Sequence, residues 1–420
     1  MDMRVQEGVS VLRTWIRTLP EALSRLWTGS ETSSNSDEAL QALPEENRLR
    51  PAPDALLDRI APPPDWSEAV SALDTALRPW TTGSDDVPAL VLMPGYHNAP
   101  PLLKLWAEVH TWTTIAPVPR PHIMQSAEAV ESWFIERANS QTPWVLPRLE
   151  RCYIRTPSGL AFVRRLLDHW TGGSLGRGII GCDPHAWTYL QQVWAGAIPH
   201  CFVLKPFSAN MLARWFRTLA ELNRPDGAPP VSFHMADRDS PVLPERHERE
   251  HSTSTDVSGD EAPSPYLRML AAYSQGDPNI AWLLWRQSLL TPADALPLNT
   301  EDAEQTAEKI GRAPDPKSEP RPIIWVPPWS DAEHPKLSHD ATQRDTFVLH
   351  ALLLHGGLSA DQLCSLLPMN PYAVRHRLHH MHTAGIITQR GAEWHLTPVG
   401  YAAACDMLRK DAYLPDPHAT

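Results

Sequence analysis

Apolar positions fall into three patterns along the chain. Between residues 87 and 222, short apolar runs at 89–93, 114–117, 144–147, 178–181 and 201–204 alternate with helix-length segments at 101–109, 127–137, 159–170, 187–194 and 209–222. Strands that are apolar throughout are covered on both faces, and their alternation with helices predicts an α/β core built on a parallel sheet of five strands. Between 343 and 413 the pattern is helix–helix–helix–hairpin–helix. An apolar helix over 346–355 closes at Gly356-Gly357, and Ser359 caps a second helix over 360–367. Asn370-Pro371 opens a third helix that turns Val374, Leu378 and Met381 inward, and Gly385 stops it. Residues 386–389 and 393–396 then pair across Arg390-Gly391-Ala392, and Thr397-Pro398 opens the last helix. The third pattern lies at residues 9–27, where Leu12, Trp15, Ile16, Leu19, Leu23, Leu26 and Trp27 recur at helical spacing with Arg13, Arg17 and Arg25 between them, and Pro20 kinks or splits the helix.

The intervening chain is rich in Pro, Ser, Asp and Glu. It divides the protein into an amphipathic helix (1–27), a linker with a short helix (28–86), the α/β core (87–222), a disordered linker (223–262), a small helical element (263–291), a Pro-rich connector (292–342), the C-terminal domain (343–413) and a tail (414–420). Forty-three prolines among 420 residues are about twice ordinary usage, which fits that division. A net charge of −12 excludes a generally basic nucleic-acid coat, so any DNA contact is local. The five cysteines are isolated and contain no C-x-x-C, as expected of buried thiols in a reducing compartment. No apolar run approaches ~20 residues, and the N-terminus lacks a signal-peptide core, so a cytoplasmic protein is expected. The basic face and tryptophans of residues 9–27 allow peripheral membrane contact; packing on a partner protein is the plainer reading.

The first strand of the core runs into Pro94-Gly95-Tyr96-His97-Asn98-Ala99-Pro100-Pro101 and then a helix. That is the setting of a phosphate-binding loop, in which backbone N–H groups and a Lys hold the phosphates. Here Ala99 or Pro100 stands where the Lys belongs, and prolines offer no N–H. Two further segments extend the pattern. At 144–150 an apolar strand exits into Arg148 and Glu150; at 276–281 the chain reads Gly-Asp-Pro-Asn-Ile-Ala. With the core and its helical element in this order, the chain resembles the AAA+ and related additional-strand P-loop ATPases. The resemblance implies that Arg148 replaces a magnesium-binding Asp, that only Glu150 of the acidic pair remains, that Asn279 replaces the Arg that reaches the γ-phosphate, and that Cys182 or Asp183 sits at a polar sensing position. Phosphoryl transfer relies on positioned charge, so these losses predict a pseudo-ATPase with no catalytic residues and no cofactor.

The run A-G-I-I-x-x-R-G-x-x-W-x-L-T-P-x-G at 384–400 resembles the wing of MarR-like and ArsR-like winged-helix regulators. In such domains the third helix enters the major groove and the wing touches the backbone. The resemblance places Tyr372, Arg375, His376, Arg377, His379 and His380 on the DNA side of that helix and Arg390 at the wing tip. Residues 345–413 carry five Arg and Lys against five Asp and Glu, so protein docking is a second reading of the same domain. Histidine pairs at i,i+4 and i,i+3 have zinc-compatible spacing, but no Cys or carboxylate completes a site nearby, and no metal is expected. Together these features predict a DNA-binding regulator or scaffold with a non-catalytic core. The alternatives are an interaction subunit of a larger assembly and a weak ATP-binding ATPase.

Overall fold

The computed structural model describes residues 49–82, 88–96, 101–125, 127–138, 142–198, 200–224, 230–238, 240–243, 263–292, 322–332 and 342–414. The amphipathic helix predicted over 9–27, loop residues His97, Asn98, Ala99 and Pro100, and tail residues 415–420 lie outside the described residues.

The chain enters with β1 (Leu49–Pro51), α1 (Asp54–Ile60) and α2 (Ser67–Thr81). The core follows as β2 (Ala89–Leu92), α3 (Leu102–Val109), β3 (Thr113–Thr114), α4 (Arg120–Gln125), α5 (Ala127–Ala138), β4 (Trp144–Leu146), a 3-10 turn at Leu149–Arg151, α6 (Pro157–Thr171), β5 (Gly178–Cys182), α7 (Pro184–Val193), β6 (His200–Val203) and α8 (Ala209–Leu222). Its five strands form one wholly parallel sheet in the order β3-β4-β5-β2-β6, the α/β architecture the apolar pattern predicts. Alternation along β2 explains the two covering layers. Ala89 and Val91 pack with Leu73, Leu77 and Trp106 from α2 and α3, whereas Leu90 faces the Phe162, Leu166 and Leu190 side from α6 and α7. Gly178 sits where a Cβ would lie 2.2 Å from the Trp144 ring, so the central strand needs a glycine to accept that indole.

The linkers are not structureless throughout. Ser232–Met235 (β7), expected within the disordered segment 223–262, pairs in parallel with Ile323–Val326 (β9), expected within the 292–342 connector. With β8 (Leu290–Pro292) and β1 they form a four-stranded sheet in the order β1-β8-β9-β7, and α9 (Pro265–Tyr273) and α10 (Pro278–Ser288) pack nearby. Phe216 of α8 stacks on Trp285 of α10 at a 4.9 Å centroid distance and 5° between planes, with Phe233 of β7 at 5.2 Å from the same indole. The small helical element is therefore part of a second α/β layer that includes residues 49–60.

The C-terminal unit contains α11 (Gln343–His355), β10 (Leu358–Ser359), α12 (Ala360–Leu366), α13 (Pro371–Thr383), β11 (Ile387–Arg390), β12 (Glu393–Leu396) and α14 (Pro398–Lys410). Gly356 ends α11 with φ of 58°, in the left-handed region. The Ser359 hydroxyl and the Gln362 side chain cap each other's backbone, and Asn370 accepts from Ala373 N–H at 2.8 Å. Val374, Leu378 and Met381 are buried, as predicted. One continuous apolar core runs from the four-stranded sheet into this unit, joining Trp285 and Ile280 to Val348, Leu352 and Leu408. Among the described residues no helix is long and apolar enough to cross a membrane.

Candidate functional site

In an open parallel sheet, ligands bind beyond the carboxyl ends of the strands. At that end, Gly95 follows β2, Glu150 follows β4 and Asp183 follows β5. Asp183 is fully buried. It caps α7, with Oδ1 accepting from His185 N–H at 2.8 Å and Ala186 N–H at 3.3 Å. Its other oxygen accepts the Gly95 N–H at 2.8 Å and the Tyr401 hydroxyl of α14 at 2.9 Å. Four donors thus saturate one carboxylate. Burial pushes the Asp183 carboxyl above its ordinary pKa, and these donors work against that shift.

Glu150 is also buried, and Oε2 accepts the Asp183 N–H at 3.2 Å. Arg148 lies 3.4 Å from Oε1. Burial raises the Glu150 carboxyl and the Arg148 charge lowers it, with burial the larger cause. A Cβ on Gly95 would stand 3.0 Å from Glu150 Oε1 and 3.2 Å from Asp183 Cβ, so the absence of a side chain there lets both acids approach.

The neighbouring Tyr96 is buried and closes the other side. Its hydroxyl donates to Asp277 Oδ1 at 2.8 Å and accepts from Asn279 Nδ2 at 3.2 Å. Asp277 caps α10 through Ile280 N–H at 2.9 Å. The Tyr96 and Tyr401 rings meet edge to face at 5.2 Å. Sequence reasoning singled out Gly95, Tyr96, Arg148, Glu150 and Asn279, and the structure brings all five into this cluster. Pro101 stands apart at the start of α3, where its carbonyl accepts Lys104 N–H at 2.7 Å.

Three participants carried little sequence signal. Asp183 appeared only as one of two choices for a polar position. Tyr401 read as an apolar residue of the last helix. Arg120, from the run Val118-Pro119-Arg120-Pro121, carried none. Arg120 is buried and fixes the C-terminal unit to the core. It donates to the carbonyls of Gly357 at 2.5 Å, Tyr153 at 3.1 Å, Glu150 at 3.1 Å and His355. Burial brings its pKa down to about 10. Around it, the Tyr153 hydroxyl donates to Leu354 O at 2.7 Å and Arg151 pairs with Glu393 at 2.6 Å. The His355 ring accepts Arg155 N–H through Nε2 at 3.1 Å, and Nδ1–H therefore donates to Ala351 O at 2.7 Å.

The residues predicted to face DNA separate into two groups. Tyr372 is 80% exposed, and Arg375, His376, His379 and His380 are exposed on the same outward face of α13. Arg390 is exposed at the hairpin tip. Arg377 is not on that face: it is half-buried and pairs with buried Asp345 at 3.2 Å. Its placement corrects the expectation, because residue 377 lies on the flank of α13 toward α11. Among the described residues no group of three or more His, Cys, Asp or Glu side chains is positioned to hold a metal ion.

No known family model matches the chain, and no curated protein matches it. Among solved structures, a single-substitution variant of Thermotoga maritima RuvB aligns over 83% of this chain and 94% of that chain at 11% identity, with a TM-score of 0.29, a score too low to carry a conclusion about this chain.

Proposed function

We propose that this chain is a non-catalytic, AAA+-like protein whose C-terminal winged helix binds DNA, making it a DNA-bound regulator or scaffold. One observation carries the non-catalytic half. The Gly95 N–H, placed after the first core strand where a P-loop would present a donor to phosphate, is already bonded to the Asp183 carboxylate, and Tyr401 closes over that carboxylate. The protein's own acid takes the anion's place. The strand order supports the AAA+-like reading, since β5 lies between the strand that leads into the loop and the strand that leads to Glu150, as an additional strand would.

The winged-helix reading rests on the order α11, α12, α13, hairpin, α14 and on the outward face of α13. The unit docks on the core through α11, α14 and the β12 side, by His355, Tyr401 and Glu393, which leaves Tyr372, Arg375 and His379 free to enter a groove. Titration of the full chain with duplex DNA over a series of salt concentrations tests it. The expected outcome is a linear fall of log K with log salt, weakened by Arg375→Ala with Arg390→Ala. Absence of binding at low salt sinks the DNA reading and leaves the docked C-terminal unit as a protein-interaction module.

A further inference from the structure

The surface that would meet DNA is short of permanent positive charge. On the outward face of α13 only Arg375 is a permanent cation, because Arg377 turns aside to Asp345, and the hairpin tip adds Arg390. The same face carries His376, His379 and His380, all exposed. His376 stacks on Tyr372 with ring centroids 6.4 Å apart and 27° between planes. Among the described residues none of these three histidines pairs with a carboxylate, unlike His110, which meets Asp74, and His395, which meets Glu393. His382 differs, since its Nδ1 lies 3.1 Å from Ile387 O and its ring meets Trp394.

No carboxylate on the packed elements forms an ion pair with the trio among the described residues. On α11 the charged groups are Arg344, Asp345, His350 and His355, of which Asp345 is engaged by Arg377. On α12 there is Asp361, on β11 Arg390, and on β12 Glu393 and His395, with Glu393 held by Arg151.

Resting on the DNA reading above, we infer that protonation of His376, His379 and His380 switches this surface from weak to strong binding of duplex DNA. Imidazole changes charge between about pH 5 and 8. Residues 342–414 carry six Arg and Lys and five Asp and Glu, so protons on these three histidines raise a nearly balanced unit to a clearly basic one. Each imidazolium can displace a counterion from a phosphate. Three such contacts steepen the slope of log K against log salt by about 2.7, and tighten binding by at least about tenfold near 0.1 M salt.

The test is a KCl series with a fluorescently labelled 20-base-pair duplex and the full chain at pH 7.5 and 5.5, with circular dichroism at both values to verify the fold. The acidic chain also loses negative charge as pH falls, so the triple variant H376Q/H379Q/H380Q measures that background. The expected result is a steeper slope and at least about tenfold tighter binding at pH 5.5, both lost in the Gln variant. The triple Lys variant binds tightly at both pH values. Equal slopes for the wild type at the two pH values, or a pH effect that survives in the Gln variant, overturn the inference while leaving DNA binding intact. No binding at either pH, with the Lys variant also silent, removes the DNA reading itself.

Discussion

The Tyr401 hydroxyl donates to Asp183 Oδ2 at 2.9 Å, joining the last helix of the chain to the carboxyl end of the central sheet across 218 residues of sequence. Because Asp183 also holds the Gly95 N–H, this contact ties the C-terminal unit to the loop after β2. A site that would otherwise face solvent is closed by three parts of the chain at once.

Tyr401→Phe keeps the ring against Tyr96 and removes only the hydroxyl. It should cost about 1–3 kcal/mol, the range for a bond to a buried carboxylate. Asp183→Ala removes the α7 cap and leaves the Gly95 N–H and the Tyr401 hydroxyl without their acceptor, so its cost should be larger, about 3–5 kcal/mol. Urea unfolding of the two variants checks the order; no loss in Tyr401→Phe would mean that Asp183 acts only as a helix cap, and equal losses that the cap contributes nothing.

Arg120 should be the most sensitive residue between core and C-terminal unit. Arg120→Met keeps much of the volume but strips donors from four buried carbonyls, a loss of about 3–5 kcal/mol. Arg120→Lys should recover little, because a single ammonium cannot reproduce the planar fork that spans Gly357, His355, Glu150 and Tyr153. Limited proteolysis should then cut between core and residue 342 faster than in the wild type. Full recovery by Lys would show that charge alone, and not fork geometry, fixes the unit.

Acid should loosen the same interface. Burial lowers the His185 and His350 pKa values to about 4 and holds His355 well below its ordinary value, with nearby Arg charges adding to the effect. These rings are neutral in the folded state while unfolded histidine protonates near pH 6.5, so the unfolded state binds more protons. Stability therefore falls as pH drops from about 6.5 towards 4. The buried carboxyls Glu150, Asp183 and Asp277 have the opposite sign: their pKa values are raised, so they favour the folded state at acid pH and lose that contribution as pH rises through their folded values. Urea midpoints between pH 7.5 and 4.5 should decline, and His350→Gln should flatten the decline. A flat or rising profile in the wild type would contradict the histidine assignment.

Two arginines two positions apart on α13 should behave differently. Arg377→Ala removes the cationic partner of buried Asp345, which keeps its bonds from Thr342, and should cost about 1–3 kcal/mol of stability. Arg375→Ala, fully on the outward face, should leave the unfolding midpoint within about 0.5 kcal/mol of wild type and weaken DNA binding. Paired measurements of unfolding and DNA affinity separate the two; matching profiles would refute the division of the α13 surface.

The extent to which the sequence disclosed this structure follows from the range of each signal. The C-terminal unit was legible because its boundaries are local: Gly356, Ser359, Asn370-Pro371 and Thr397-Pro398 act within one turn of themselves. The parallel core was legible because strands such as Gly178–Cys182 are buried on both faces and stay apolar. The second sheet was not, because Ser232 and Ile323 lie about ninety positions apart and each strand is a brief apolar interval in polar, Pro-rich chain. Of the site, Gly95, Glu150 and Asn279 were found through the family resemblance. Arg120 and Tyr401 were missed as site members, and Asp183 entered only as one of two choices, because their roles exist only once distant segments meet.

The most direct test of the central claim is titration of the full chain with Mg·ATP, followed by calorimetry and by release of inorganic phosphate. Occupation of the Gly95 N–H by Asp183 and closure by Tyr96 and Tyr401 predict no saturable binding up to millimolar nucleotide and no turnover. Micromolar affinity, with phosphate release that disappears in Glu150→Gln, would contradict the account.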